Sequence, residues 1–156
     1  MGTGKSTVGR LLADRLGYSF ADTDQLIEQR HGPIPVIFEA HGEPGFRRLE
    51  RDLAAELGTA TATVISTGGR MLLDPPNAEA LGATGIIICL SASVDTLVER
   101  LRGSGAETRP LLAGHDLRAR VGQLLEDRAP AYSGFTQILT DDKTPDQIVD
   151  EIIAGL

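Results

Sequence analysis

Met1-Gly2-Thr3-Gly4-Lys5-Ser6-Thr7-Val8-Gly9-Arg10-Leu11-Leu12 opens the chain. These residues read as the back half of a phosphate-binding loop running into a helix. The full pattern is Gly, four residues, then Gly-Lys-Ser/Thr; Gly4-Lys5-Ser6 fits its end, and its first Gly would fall before Met1. Gly2 and Gly4 let backbone N–H groups approach phosphate oxygens, and the amides of the following helix N-terminus add partial positive charge there. Lys5 is placed to reach the β/γ-phosphates and the Ser6 hydroxyl to ligate Mg²⁺. The competing reading is a Gly-rich terminus before an ordinary helix. It is disfavoured because that helix presents an apolar face of Val8, Leu11, Leu12 and Leu16.

At 156 residues the chain has the length of one domain. Hydrophobic residues make up 41% and charged residues 24%, the composition of a globular protein. A net charge of −7, with 4% aromatics and no Trp, argues against a nucleic-acid surface, which needs a basic field and stacking rings. Cys89 is the only cysteine and sits in the apolar run Ile86-Ile87-Ile88-Cys89-Leu90. A disulfide within the chain is impossible, and a buried structural thiol is expected. The apolar runs are too short to cross a bilayer, and no basic-then-apolar leader opens the sequence. A cytosolic protein without membrane contact is expected.

Downstream, strand and helix signals alternate. A helix over 6–16 stops at Gly17, a strand over 18–21 delivers Asp22-Thr23-Asp24, and a helix over 25–30 follows. Two carboxylates at the carboxyl end of a strand stand where open α/β sheets bind ligands, although Asp24 also reads as a helix N-cap. His31-Gly32-Pro33 ends that helix. The segment Ile34, Val36, Ile37, Phe38 reads as an apolar connection to a helix that Phe46 opens and that carries Leu49, Leu53, Ala54 and Leu57. Arg47, Arg48 and Glu50 are by themselves solvated helix surface, and His31 and His41 have no partner at metal-ligand spacing. A strand over 63–67 runs into Gly68-Gly69-Arg70, a second place where backbone approaches a ligand. A short helix is read over 78–81, a strand covered on both faces over 86–90, and a helix through Val94, Leu97, Val98 and Leu101. Residues 103–116 have a loop composition suited to a lid, with Arg109 available for phosphate. A helix from Leu117 closes at Ala129-Pro130, and a strand over 136–140 and a helix through Ile148, Val149, Ile152 and Ile153 complete the chain. The expected fold is α/β: a three-layer sandwich around a parallel sheet.

Taken together, the motifs resemble shikimate kinase, a family of P-loop kinases related to the nucleoside monophosphate kinases. They are Gly4-Lys5-Ser6-Thr7 with Gly9-Arg10; Asp22-Thr23-Asp24 with Ile27-Glu28; Gly42-Glu43 and Phe46-Arg47 with Glu50; Ser66-Thr67-Gly68-Gly69; Arg109-Pro110-Leu111-Leu112; and Arg128-Ala129-Pro130 with Tyr132. The resemblance spans Gly2 to the C-terminus. It implies ATP- and Mg²⁺-dependent phosphorylation of the 3-hydroxyl of shikimate, on the way to chorismate and aromatic amino acids.

It also implies roles. Gly2, Thr3, Gly4, Lys5, Ser6 and Thr7 hold ATP; Arg102 lies near adenine and the lid's Arg109 reaches the phosphates. Asp22 joins Ser6 at the Mg²⁺ site. Asp24 binds the substrate hydroxyls near the attacking oxygen, and Arg47 and Arg128 grip the carboxylate with help from Gly68 and Gly69. Lys5, Asp24 and Arg109 are the catalytic set. One domain over 1–156 is expected, with a substrate-binding subregion near 23–52 and a lid near 103–116, acting as a monomer.

Two departures stand out. The family's strand order is 2-3-1-4-5, and the first strand, the central one, is missing from this sequence with the front of the loop. Neighbouring strands lie about 4.7–4.9 Å apart, so its loss leaves strands 3 and 4 without a shared partner. The sequence therefore reads either as an incomplete copy of an active kinase or as a catalytically impaired remnant that binds without turnover. The second departure is Arg70, which stands where the family has a third Gly. If that position needs φ > 0, a strained and obstructive side chain is expected there.

Overall fold

The computed structural model describes residues 2–103 and 116–156. Helices and strands alternate along them, and each of the four described strands pairs in parallel, as the α/β reading requires. By compactness the chain divides into a unit of residues 6–87 and a unit of 1–5 with 88–156.

The 6–87 unit begins with helix α1 (Lys5–Leu16), of which Lys5 itself groups with the other unit. Val8 and Leu12 of its predicted apolar face are buried. Gly9 presses α1 onto the next strand: a β-carbon there would lie 2.8 Å from the Phe20 ring, and Arg10 stacks over the same ring at 4.7 Å. Strand β1 (Ser19–Asp22) leads directly into helix α2 (Thr23–His31), and Asp22 rather than Asp24 is the N-cap, its carboxylate accepting the Gln25 N–H.

Helix α3 (Ile34–Leu57) is longer than the sequence suggested. Residues 34–41, read as an apolar connection, are helical, and Ile37 packs with Ile27, Phe46 and Leu53 in the core of this unit. Gly42 takes the non-helical φ 65° and ψ −177°, so the run consists of two helices that meet at a kink, and Pro44 stands at the start of the second, where its missing N–H costs little. Strand β2 (Thr63–Ser66) pairs with β1 in the register Ser19↔Thr63 to Asp22↔Ser66. The two strands therefore end side by side, and their C-terminal residues share one edge. A 3-10 turn (Met71–Leu73) and helix α4 (Pro75–Gly82) follow.

In the other unit, strand β3 (Ile88–Ser91) pairs with β4 (Thr136–Leu139). Ile86, expected inside a covered strand, lies outside it and is 67% exposed. Helix α5 (Val94–Gly103) buries Leu97, Val98 and Leu101 against Val121 of helix α6 (Leu117–Tyr132). Pro130 does not close α6; the helix carries one more turn to Tyr132, and the Ser133 N–H bonds back to the Ala129 carbonyl. Helix α7 (Pro145–Ala154) starts with a capping box between Thr144 and Gln147. No described helix is long and apolar enough to cross a membrane.

Candidate active site

The loop that opens the chain has the backbone its glycines were read to supply. Gly2 and Gly4 adopt φ of 75° and 83°, a region that a side chain disfavours, and Thr3 between them is buried. An arginine to which the sequence gave no role holds the loop. Arg100 on α5 donates from Nη1 to Thr140 Oγ1 at 2.9 Å and to the Gly2 carbonyl at 3.5 Å, and from Nη2 to the Thr140 carbonyl at 2.8 Å. Thr140 is completely buried, so the guanidinium is anchored at the end of β4 and reaches the loop from there.

Lys5 is near enough for its charge to act on the Cys89 thiol, where burial dominates and pushes the pKa up; Gln137 and Lys5 pull the other way. Cys89 is thus a weakly acidic thiol, but half-buried where the sequence suggested a buried one. Arg102 is exposed on the last turn of α5. Arg128, on α6, lines a small hollow with Leu97, Leu101, Val121, Leu124 and Leu125. Arg109 and the interior of the predicted lid lie outside the described residues.

Within the 6–87 unit, the paired ends of β1 and β2 bring three oxygens together. The Ser6 hydroxyl donates to Asp22 Oδ2 at 2.8 Å and lies 3.4 Å from the Ser66 hydroxyl. Asp22 therefore serves two purposes, capping α2 with Oδ1 and facing Ser6 with Oδ2. The donor set is hard, oxygen-only and carries one carboxylate. That suits Mg²⁺, which is commonly held by one or two carboxylates together with substrate phosphates and waters. Among the described residues no group of three or more His, Cys, Asp or Glu could form an all-protein cage.

Asp24, two residues further on, is set by its neighbour. The fully buried Thr23 accepts the Gly68 N–H on Oγ1 at 2.9 Å, which ties the first turn of α2 to the loop after β2. A β-carbon on Gly68 would lie 2.5 Å from Asp24 Oδ1. The glycine that the sequence marked for backbone approach thus also makes room for the carboxylate.

Arg47 is not solvated surface. It donates from Nη1 to Glu50 Oε2 at 2.5 Å, and from Nε and Nη2 to Glu43 Oε1 at 3.2 and 3.1 Å, with its guanidinium 5.3 Å from the Phe46 ring centre. Glu50 is 2% exposed. Burial pushes its carboxyl pKa up, against the pull of Arg47; burial also works against the Arg47 charge, but Glu50 and Glu43 outweigh it and raise that pKa. The direction that decides the chemistry is the second, since a guanidinium stays charged throughout. The charged form of Arg47 is thus held in place by a buried anion.

Arg70 departs from expectation. Its φ is −123°, so the position needs no left-handed backbone and the residue carries none of the predicted strain. Its side chain is half exposed and meets Glu43 Oε1 at 3.0 Å. A cleft of about 450 Å³ in this unit, lined by His31, Val36, Ile37, His41, Pro44 and Arg48 among others, contains none of the predicted site residues.

Comparison with known proteins converges on one family. A sequence profile of the shikimate kinase family matches residues 1–156. The shikimate kinase of Symbiobacterium thermophilum is 44% identical over 159 residues, covering 100% of this chain and 91% of that protein. The one from Thiobacillus denitrificans is 44% identical over 142 residues, covering 90% and 76%. Among solved structures, shikimate kinase from Acinetobacter baumannii in complex with shikimate superposes with a TM-score of 0.87 at 36% identity, covering 98% of this chain and 86% of that one. The Bacteroides thetaiotaomicron shikimate kinase gives a TM-score of 0.86 at 33% identity, covering 100% and 94%. A profile match over the whole length, with relatives this similar over most of theirs, means that the chain belongs to the shikimate kinase family.

Proposed function

We propose that this chain transfers the γ-phosphoryl group of ATP to the 3-hydroxyl of shikimate, giving ADP and shikimate 3-phosphate. The observation that carries the reading is the Asp24 carboxylate lodged against Gly68, in the same unit as an arginine fixed by a buried glutamate. A carboxylate suits the substrate's hydroxyls and a guanidinium suits its carboxylate.

Phosphoryl transfer is mainly positioning and charge neutralisation. Asp24 orients the 3-hydroxyl and receives its proton as the new O–P bond forms and the bond to ADP breaks. Arg47 binds the carboxylate; the same role is proposed for Arg128, with Gly68 and Gly69 contributing backbone. Lys5 and the amides of Gly2, Thr3, Gly4, Ser6 and Thr7 bind the phosphates, Arg109 adds a charge as the transferred group leaves, and Arg102 serves the adenine. Ser6 and Asp22 would hold Mg²⁺, which neutralises phosphate charge when bound. Two further proposals accompany this one: the chain works as a single domain, and it acts as a cytoplasmic monomer. The lone half-buried thiol supports a reducing compartment.

The test is ADP release by the purified chain with ATP and Mg²⁺, with and without shikimate, and mass spectrometry of the product. Shikimate-dependent ADP release with a phosphorylated product is expected. Equal ADP release without shikimate would overturn the reading.

A further inference from the structure

Glu43 sits on the α3 kink, next to Gly42; its Oε1 accepts N–H groups from Nε and Nη2 of Arg47 and is ion-paired with Arg70 Nη1 at 3.0 Å. The two Arg47 donors form one edge of the guanidinium, the edge whose parallel N–H bonds match a planar carboxylate. Nη1 of Arg47 gives one N–H to Glu50, which is buried and cannot leave cheaply, so the Nε/Nη2 edge is the one whose partner can be exchanged. A substrate carboxylate that binds Arg47 side-on must therefore displace Glu43. Glu43 is 48% exposed and is the partner able to move.

A displaced carboxylate beside an incoming anion is unfavourable unless a cation receives it. Arg70 already touches the same oxygen, is itself 50% exposed, and comes from a different element, so it keeps its place when Arg47 changes partner. Charge points the same way. Asp24 and Arg70 both act electrostatically on Glu50, Arg70 with the sign that favours the carboxylate, so its charge serves Glu50 as well as Glu43.

We propose that Arg70 is a positioning residue for substrate binding: it receives Glu43 when the substrate's carboxylate takes the Nε/Nη2 edge of Arg47. This rests on the assignment of shikimate as substrate. It reverses the expectation drawn from the sequence, in which Arg70 obstructed the site.

The experiment is a kinetic double-mutant cycle on the full chain with Arg70→Ala, Arg70→Lys, Glu43→Gln and Arg70→Ala/Glu43→Gln. Arg70→Ala is expected to raise KM for shikimate about two- to fivefold, the range of a half-exposed ion pair, with kcat and KM for ATP unchanged. Arg70→Lys restores most of the loss. In the Glu43→Gln background the effect of Arg70→Ala disappears, because no carboxylate then needs a new partner. Equal effects of Arg70→Ala in both backgrounds would mean that Arg70 acts on the substrate directly, and a lower KM would mean that it obstructs; either overturns the proposal. A wild-type chain inactive towards shikimate overturns the substrate assignment itself, an outcome distinct from an active enzyme with an additive cycle.

Discussion

The Cα of Gly68 faces the Asp24 carboxylate so closely that a β-carbon there would lie 2.5 Å from Oδ1. The obstructed atom is the end of a side chain, so Gly68→Ala is tolerated by swinging the carboxylate aside, while the Thr23 bond to the Gly68 N–H survives. Stability should change little. Misplacing a reacting group by about 1 Å costs about a hundredfold in rate, so kcat for shikimate phosphorylation should fall by that order. Steady-state kinetics beside a thermal melt checks this, and an unchanged kcat would show that Asp24 does not work from that position.

Lys5→Met removes the charge set against the β/γ-phosphates, where charge develops during transfer. Turnover should be abolished with the circular dichroism spectrum unaltered. Full shikimate-dependent ADP release by this variant would remove Lys5 from the mechanism.

Arg47→Ala should do two things at once. It takes away a charge-assisted contact of roughly 1.5–3 kcal/mol, weakening shikimate binding about ten- to a hundredfold, and it leaves buried Glu50 without its cation, at a cost of about 1–3 kcal/mol in stability. Arg47→Ala/Glu50→Gln separates the two effects. Chemical denaturation should show the stability recovered, and calorimetry should show shikimate binding still lost and ATP binding intact. Recovery of shikimate affinity would place the substrate's carboxylate elsewhere.

Asp141 predicts a pH dependence for the other unit. Hydrogen bonds from Ser93, then Thr96, hold its carboxyl pKa at about 2, below its ordinary value, and tie the start of α5 to the end of β4. A depressed carboxyl stabilises the fold above its unfolded pKa of roughly 4 and loses that contribution as pH falls towards the folded value. The Tm gap between wild type and Asp141→Asn should be constant above about pH 5 and close as pH falls to about 2. A gap that widens on acidification would contradict the assignment.

The sequence carried the order of elements and most of the candidate residues, because loop glycines, strand ends and helix periodicity are local signals. Gly2 and Gly4 adopt the positive φ that the loop reading asks of them, and Asp22 stands at the end of its strand. Partnerships across the fold were not legible. Thr23 looks like any residue between two aspartates until its hydroxyl is seen to accept the Gly68 N–H, and Arg100 looks like an ordinary helix arginine until it reaches Gly2 and Thr140. Glu50 could have been suspected from its i, i+3 spacing to Arg47, but its burial depends on how α3 packs. The interruption at Gly42 was legible, but the helicity of residues 34–41 before it was not, because so short an apolar segment carries little periodicity. Arg70 was judged on an assumed φ, and its actual φ of −123° removed the objection.

The most direct test of Asp24 as the residue that aligns the shikimate hydroxyl is a single-turnover measurement of shikimate 3-phosphate formation by the wild-type chain and by Asp24→Asn, both saturated with ATP and Mg²⁺. Asp24→Asn keeps the shape and loses the acceptor charge. The transfer rate should fall by about a hundred- to ten-thousandfold with ATP affinity unchanged. A transfer rate equal to the wild-type rate would contradict the account.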